Sequence, residues 1–405
     1  MNKFALFTSF FFCALFVCRL FYSVTAASGL VENSWNTKAS MKQARGGLGV
    51  VAVNDKIYAI GGSTARCEWP NRYTSDFVGT NECYDPKTDT WFTLEDMPTP
   101  RANFAIAAYQ GKIYCIGGVI GLIDSEHNWP FQTTLRTTAV EVYDTISGIW
   151  STKAPFMSHN AHISEDLSAC VVDGKIFVIN QYWLCMYDPN TDTWVDRAKL
   201  PLSFGYYSES YDPVSVVVDG KIVVISDIPD PDFRGALFYD PKTDVWSKSE
   251  ICYSIPYFGG AGVTTGLYAP QKIYVLGMLK EYGENRVYDP LSDSWSDGKS
   301  MPTARSGFGV AVIDDILYAI GGCTKNQAAS AKNEQYIPIG YQSTPSTSKP
   351  TETSKPTETP HLKPDDSSET FLICLTVAVL GLIVGVVVGG LVFYIKKKIH
   401  KTSFH

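Results

Sequence analysis

An all-β propeller of six blades, closed by an N-terminal strand and followed by one C-terminal transmembrane helix, is the fold this sequence predicts. Three observations point to it. The strand KIYAIGG (56–62) returns as KIYCIGG (112–118) and ILYAIGG (316–322), with echoes at KIFVIN (175–180), KIVVIS (221–226) and KIYVLG (272–277). After a variable loop comes a strand ending Tyr-Asp, then a Trp: NECYDPKTDTW, VEVYDTISGIW, LCMYDPNTDTW, ALFYDPKTDVW and NRVYDPLSDSW. These copies recur about every 44 to 60 residues with four short strands each, the length scale of one blade.

The elements follow in chain order. Residues 1–26 read as a signal peptide, with an apolar run and small residues Val24, Thr25, Ala26 and Ala27; Arg19 interrupts that run and leaves an uncleaved anchor open. Residues 27–340 carry the repeats. Each blade opens on a small or apolar strand such as GLGVVAV (47–53) or NFAIAAY (103–109). The paired glycines end the second strand where the chain turns with backbone angles that a Cβ opposes. Asp followed by Pro and polar residues is hairpin chemistry, because Asp bonds the backbone ahead and Pro presets its own φ. The Trp at 91, 150, 194, 246 and 295 begins the fourth strand, where it packs toward the neighbouring blade.

The last copy tests the scheme. NEQYIP (333–338) matches NECYDP, but no Trp strand follows it. The missing strand stands at the other end, as VENSW (31–35), and its pairing with 333–338 closes the ring and leaves no open sheet edge.

Composition sets the class. With 45 % hydrophobic residues the chain buries a large core, and a net charge of −7 with no basic face on the folded part argues against nucleic acid as a partner. The stretch 341–370 is rich in Pro, Ser and Thr, contains the tandem KPTETS and KPTETP, and reads as an extended stalk. FLICLTVAVLGLIVGVVVGGLVFY (371–394) has no charge and is long enough to span a bilayer; residues 371–395 are the expected helix. Lysines 396–398 and 401 against Asp365, Asp366 and Glu369 place the tail 396–405 in the cytosol, which makes a type I single-pass protein of the plasma membrane or endomembrane. Gly381, Gly385 and Gly389 share one helix face, the spacing of a homodimer contact.

Gly-Gly, Tyr-Asp-Pro and Trp, with MPTPR (97–101) and MPTAR (301–305) leading into the next strand, resemble kelch repeats over about residues 31–338. The resemblance implies a six-bladed kelch-type propeller used mainly as a protein-binding platform. The chain departs from the pattern in blades three to five, which lack the glycine pair and the Met-Pro-x-x-Arg lead-in and are expected to be irregular.

Binding residues are expected in the loops between second and third strands, which share one face. Blade one's loop carries Arg66, Trp69, Arg72 and Phe77; blade two's carries His127, Trp129 and Phe131; blade three's carries Tyr182 and Trp183. Tyr206, Tyr207 and Tyr257, in the connectors of the divergent blades, share that face. Trp, Tyr and Arg anchor interfaces, so these twelve are the candidate sites for a protein or glycan ligand. The same aromatics also suit a second role, folding back to plug their own loops. Arg45, Arg101 and Arg305 occupy the motif's fixed place and read as backbone braces.

The alternative function is an ectoenzyme, a copper oxidase of the galactose oxidase kind or a glycan-processing enzyme. His127, His159 and His162 are the propeller's histidines, and DIPDPDF (227–233) offers oxygens for calcium or forms a solvated loop. No catalytic residues, cofactor or metal site are assigned. Of the cysteines outside the signal and the helix, Cys115 reads as a small buried residue; Cys67 and Cys83 could close blade one's loop as a disulfide, or Cys83, which aligns with the apolar Val142, Met186 and Phe238, is a buried strand residue.

Overall fold

The computed structural model describes residues 30–66, 75–123, 133–156, 167–180, 183–201, 214–230, 233–249, 257–279 and 282–344. They fall within one unit, Met1–Thr347; the expected signal peptide, most of the stalk, the 371–395 helix and the tail lie outside the described residues. No helix among the described residues is long and apolar enough to cross a membrane.

The described chain forms six four-stranded antiparallel sheets. Blade one is Gly49–Val53, Lys56–Ile60, Asn81–Asp85 and Thr90–Leu94. Blade two is Ala105–Tyr109, Lys112–Ile116, Val140–Asp144 and Ile149–Lys153. Blade three is Ser168–Val172, Lys175–Ile179, Leu184–Asp188 and Thr193–Asp196. Blade four is Val214–Val218, Lys221–Asp230, Phe233–Asp240 and Val245–Lys248. Blade five is Tyr257–Val263, Ile273–Leu279, Tyr282–Asp289 and Ser294–Asp297. Blade six takes Gly309–Ile313, Ile316–Ile320 and Asn333–Ile337 from the end of the repeat region and Ser34–Lys38 from its start. The closing register runs from Ser34 opposite Ile337 to Lys38 opposite Asn333, so the expected closure is present.

Why one strand is written six times follows from its surroundings. Successive side chains of a strand point to opposite faces, and here each face meets a neighbouring blade. Ile57 and Ala59 pack with Tyr318 and Ile320 of blade six, whereas Tyr58 and Ile60 pack with Ile113 and Tyr143 of blade two. The same interleaving joins blades two and three through Tyr114 and Ile176, three and four through Phe177 and Ile222, four and five through Val223 and Ile273, and five and six through Tyr274 and Leu317. A second strand therefore needs apolar residues at every position rather than at alternate ones.

The Tyr-Asp-Trp segment is the clasp between blades. Tyr84 and Trp91 stack with ring centroids 5.0 Å apart, and the equivalent pairs of the other blades lie at 4.9–5.1 Å. Asp89, at positive φ, accepts from its own Tyr84 hydroxyl at 2.7 Å and from the Ala39 N–H of blade six at 2.9 Å. Trp91 donates its indole N–H to the carbonyl of that same Ala39 at 2.7 Å. Asp192 with Trp194 holds Ala154 in this way, and Asp244 with Trp246 holds Ala198. At blade six Asn33 replaces the Asp: it accepts from Tyr336 and from the Lys299 N–H, and Trp35 donates to the Lys299 carbonyl. The closing strand thus brings the complete clasp with it.

Two expectations change. Cys83 is a free, buried thiol facing Tyr58 and Tyr143 in the layer between blades one and two, so the Cys67–Cys83 disulfide is not formed; Cys323 is the disulfide-bonded one. Divergence in blades four and five lengthens strands rather than dissolving them, with register shifts between Ser226 and Asp230 and between Tyr257 and Gly260. Asp230 pairs with Phe233, so the described part of DIPDPDF, 227–230 and 233, lies on paired strands, and 231–232 lie outside the described residues.

Candidate ligand face

Antiparallel order fixes which connections share an end. Two-residue hairpins join first to second strands at one end of the inner strands in every blade but five, where residues 264–272 make the connection; the loops between second and third strands, and the connectors entering each blade, gather at the other. Among the described residues that second end carries the added strand ribbons. Blade two adds a ribbon, Val119–Ile123 with Thr133–Arg136, and the second and third strands of blades four and five run on past the normal blade length. Leu135 on the blade-two ribbon is exposed, and Tyr282 at the tip of blade five's is 70 % exposed.

Beneath these projections the entry connectors are locked. Arg45 is fully buried and donates to the carbonyls of Gly61, Thr80 and Ala59 at 2.6, 2.9 and 3.2 Å, with its other contact the Glu82 carboxylate at 2.8 Å. Arg305 repeats the arrangement with Gly321, Lys332, Ala319 and Glu334, and Arg101 does so with Thr99, Cys115 and Glu141. Burial pulls the Arg45 and Arg305 guanidinium groups below their usual range, and the facing Glu82 and Glu334 oppose that shift; both stay cationic at neutral pH. The arginines brace backbone, as the sequence suggested. Their glutamates were missed. A signal was present: Glu stands second in NECYD, VEVYD and NEQYI, the three repeats that also have Gly-Gly and the Arg, whereas Cys185, Leu237 and Arg286 stand there in blades three to five.

Two residues after each of these arginines the chain turns left-handed, at Gly47, Asn103 and Gly307. The Gly47 N–H donates to the Gly307 carbonyl and the Asn103 N–H to the Gly47 carbonyl, both at 2.8 Å, tying three blades around the axial opening. The axial cavity is about 210 Å³ and is walled by inner strands, with Gly49, Ile106, Ser168, Ser215, Gly260 and Val310 on it. That is below the ~300–1,000 Å³ of usual small-molecule sites. The broad, elaborated face is therefore the better docking surface.

Residues 44–98, 100–157 and 304–342, which cover blades one, two and most of six, match the family model of the kelch motif. Those three segments carry the kelch motif. The kelch-like protein terF of Aspergillus terreus is 25 % identical over 257 residues, 57 % of this chain and 51 % of that protein. Kelch repeat and BTB domain-containing protein 13 of Homo sapiens is 28 % identical over 205 residues, covering 47 % of this chain and 38 % of the relative. The influenza virus NS1A-binding protein homolog of Mus musculus is 43 % identical over 84 residues, 21 % of this chain and 12 % of that one. The chain spans about half the length of these curated relatives, or less. The solved structure of YjhT superposes with a TM-score of 0.52 at 16 % identity, over 73 % of this chain and 95 % of that one, a likeness of fold alone.

On this propeller the candidate residues separate. Arg66 is exposed at the seam of blades one and six, its guanidinium donating to the Asn326 carbonyl at 3.3 Å. Phe77 is half-buried against Ala102 and Cys323 at the same seam. Trp183 is half-buried on blade three, its backbone N–H on the Asn180 side-chain oxygen at 2.6 Å and the Lys199 ammonium 4.1 Å from its ring centre. One face of that ring is thus occupied by a cation–π contact. Tyr257 opens blade five's inner strand opposite Met278. Trp69, Arg72, His127, Trp129, Phe131, Tyr182, Tyr206 and Tyr207 lie outside the described residues, as do His159 and His162. Among the described residues no cluster of His, Cys, Asp and Glu is arranged to hold a metal ion. The buried thiols of Cys115, Cys170 and Cys185 are pushed up to about 12, chiefly by burial, so they are protonated and inert.

Proposed function

We propose that this chain is a membrane-anchored kelch propeller, displayed on the extracellular or lumenal side as a protein-binding or adhesion module. The observation that carries the reading is the asymmetry of the ring: one end exposes Leu135 and Tyr282 on projecting ribbons, whereas at the other end five of the six blades have two-residue hairpins. A relative named for binding NS1A is in keeping with a protein ligand. Export is supported by Cys323, since disulfides persist in oxidising compartments. The sequence 1–26 supplies the signal, 341–370 the stalk and 371–395 the anchor, with a homodimer contact along Gly381, Gly385 and Gly389.

The test has two arms. A tag inserted beside Ile146, 88 % exposed on a plain hairpin, is expected to be reachable from outside intact cells or to be protease-protected in sealed microsomes. Cytosolic accessibility overturns the anchoring. In a binding screen with residues 27–344 as probe, replacing Arg66, Leu135 and Tyr282 by Ala is expected to weaken the identified partner at least about tenfold, whereas Ile146→Ala and Leu291→Ala leave it unchanged. The reverse pattern overturns the choice of face.

A further inference from the structure

We propose that residues 338–342 form a tension-bearing latch: the long hairpin of blade five grips the chain where it leaves blade six and takes a pull on that chain before the closing strand does. Only the source of such a pull rests on the anchored adhesion reading; the latch itself does not. In the other five blades two residues join the first strand to the second, whereas blade five uses residues 264–272. That loop is folded on itself, with the Thr264 hydroxyl donating to the Pro270 carbonyl at 2.6 Å and accepting from the Lys272 N–H at 2.9 Å.

The loop closes over blade six's hairpin. The Asp315 carboxylate accepts from the Thr265 N–H and hydroxyl at 2.6 and 2.8 Å, and from the N–H groups of Tyr268 and Ala269 at 2.7 and 3.0 Å. Asp315 is 2 % exposed. Asp55, at the same place in blade one's hairpin, instead faces solvent and pairs with Lys87. What differs is the loop laid over it, so Asp315 is a positioning residue: the donors converging on its carboxylate fix 265–269 in place. The other side of the loop receives the exiting chain. The Tyr268 carbonyl accepts from the Gln342 N–H at 2.7 Å, and the Tyr268 and Tyr341 rings stack with centroids 6.2 Å apart. Tyr341 also packs on the apolar layer between blades six and one. Gly340, at φ +77°, gives its N–H to the Glu32 carboxylate, and a Cβ there would meet Pro270 at 3.0 Å. Glycine lets the chain pass this close to the loop in a left-handed turn.

Chain order turns these contacts into a load path. A pull from beyond residue 344 reaches Gln342, Tyr341 and Gly340 before it reaches Ile337, which faces Ser34 at the end of the closing ladder. With the latch docked, the pull passes into blade five's loop and, through Asp315, into blade six's first hairpin. With it released, the first strand pair loaded is Ile337 with Ser34, and the ring opens from its closure.

Two measurements on the full chain test it. By backbone hydrogen exchange at rest, the amides of Gly340 and Gln342 are expected to be protected, and Asp315→Ala to speed them at least about tenfold while 333–337 stay slow. Asp55→Ala is expected to leave them unchanged. Should Asp315→Ala not fold, Gln342→Pro removes the N–H that the Tyr268 carbonyl accepts, and Gly340 is expected to exchange faster in it likewise. Fast exchange of Gly340 and Gln342 in the wild type, or an unchanged Gly340 in both variants, overturns the latch. Under force, the chain is held at its C-terminus and at a handle inserted beside Leu135. The wild type is expected to lengthen first by up to about 18 Å, the reach of the released latch, and then to unfold. Asp315→Ala and Gln342→Pro are expected to skip that step and to open at lower force. Opening at the same force in wild type and variants overturns the tension-bearing role. Failure of the anchoring itself shows in the tag experiment and leaves both measurements readable.

Discussion

At four blade junctions one backbone residue, Ala39, Ala154, Ala198 or Lys299, is held by both of its polar groups. Ala39, Ala154 and Ala198 give their N–H to the Asp of the next blade and their C=O to its Trp. Removing the Asp leaves a tyrosine hydroxyl and a backbone N–H without their acceptor. Asp192→Ala is therefore expected to cost about 1–3 kcal/mol in denaturant unfolding, with Tyr187→Phe alone costing less. Blade two lacks this acceptor, because Gly148, at φ +72°, occupies the place of Asp89. A Cβ there meets only the Tyr143 hydroxyl oxygen, at 3.6 Å, and Asp tolerates the left-handed region. Gly148→Asp is expected to raise stability by about 0.5–1 kcal/mol, read as a higher urea midpoint at unchanged slope.

At the scale of the element, two kinds of ion pair do different work. Glu141 and Arg101 are buried and paired at 2.5 Å, so Glu141→Gln strands a cation and is expected to cost about 3–5 kcal/mol. The double change Arg101→Met with Glu141→Leu is expected to cost much less, since Leu237 stands at the glutamate's place in blade four. The hairpin carboxylates are half-buried beside solvent and act through pH. The N–H groups of Ser147 and Ile146, with Lys112, hold the Asp144 carboxyl down to about 2, and Lys56 and Lys175 lower Asp85 and Asp188. A folded value below the unfolded one, about 3.9, gives stability that is present above pH ~4 and lost as pH falls toward 2. Thermal midpoints are thus expected to be level from pH 7 to 5 and to decline below 4. The strands, hairpins and left-handed glycines of these elements were legible because each local pattern has one mechanical use. Glu82, Glu141 and Glu334 were not, because a carboxylate in an apolar strand declares its role only when its arginine, about 30 to 40 residues away, is placed against it. Of the two readings of Cys83 the loop bridge fails and the apolar strand position holds: its spacing to Cys67 suited a bridge, while strand alternation turns it into the layer between blades.

For the whole molecule, circular order is the governing fact. The six blades bury their second strands only if every blade has two neighbours, so an open ring leaves the Ile57, Ala59 and Tyr84 side of blade one uncovered. Ser34–Lys38 prevents this by joining blade six, and Asn33 and Trp35 then clasp blade five. The sequence shows this closure as a Trp strand without its Tyr strand at one end and the converse at the other. Most of the candidate ligand residues were less legible, since loop composition names residue types and not their partners: Phe77 and Trp183 prove to be engaged within the fold. Backbone hydrogen exchange on the full chain tests the closed ring most directly. Amides of 34–38 are expected to exchange as slowly as those of 333–337, and to lose that protection together with them in Trp35→Ala. Fast exchange across 34–38 beside a protected 333–337 would contradict the closed ring.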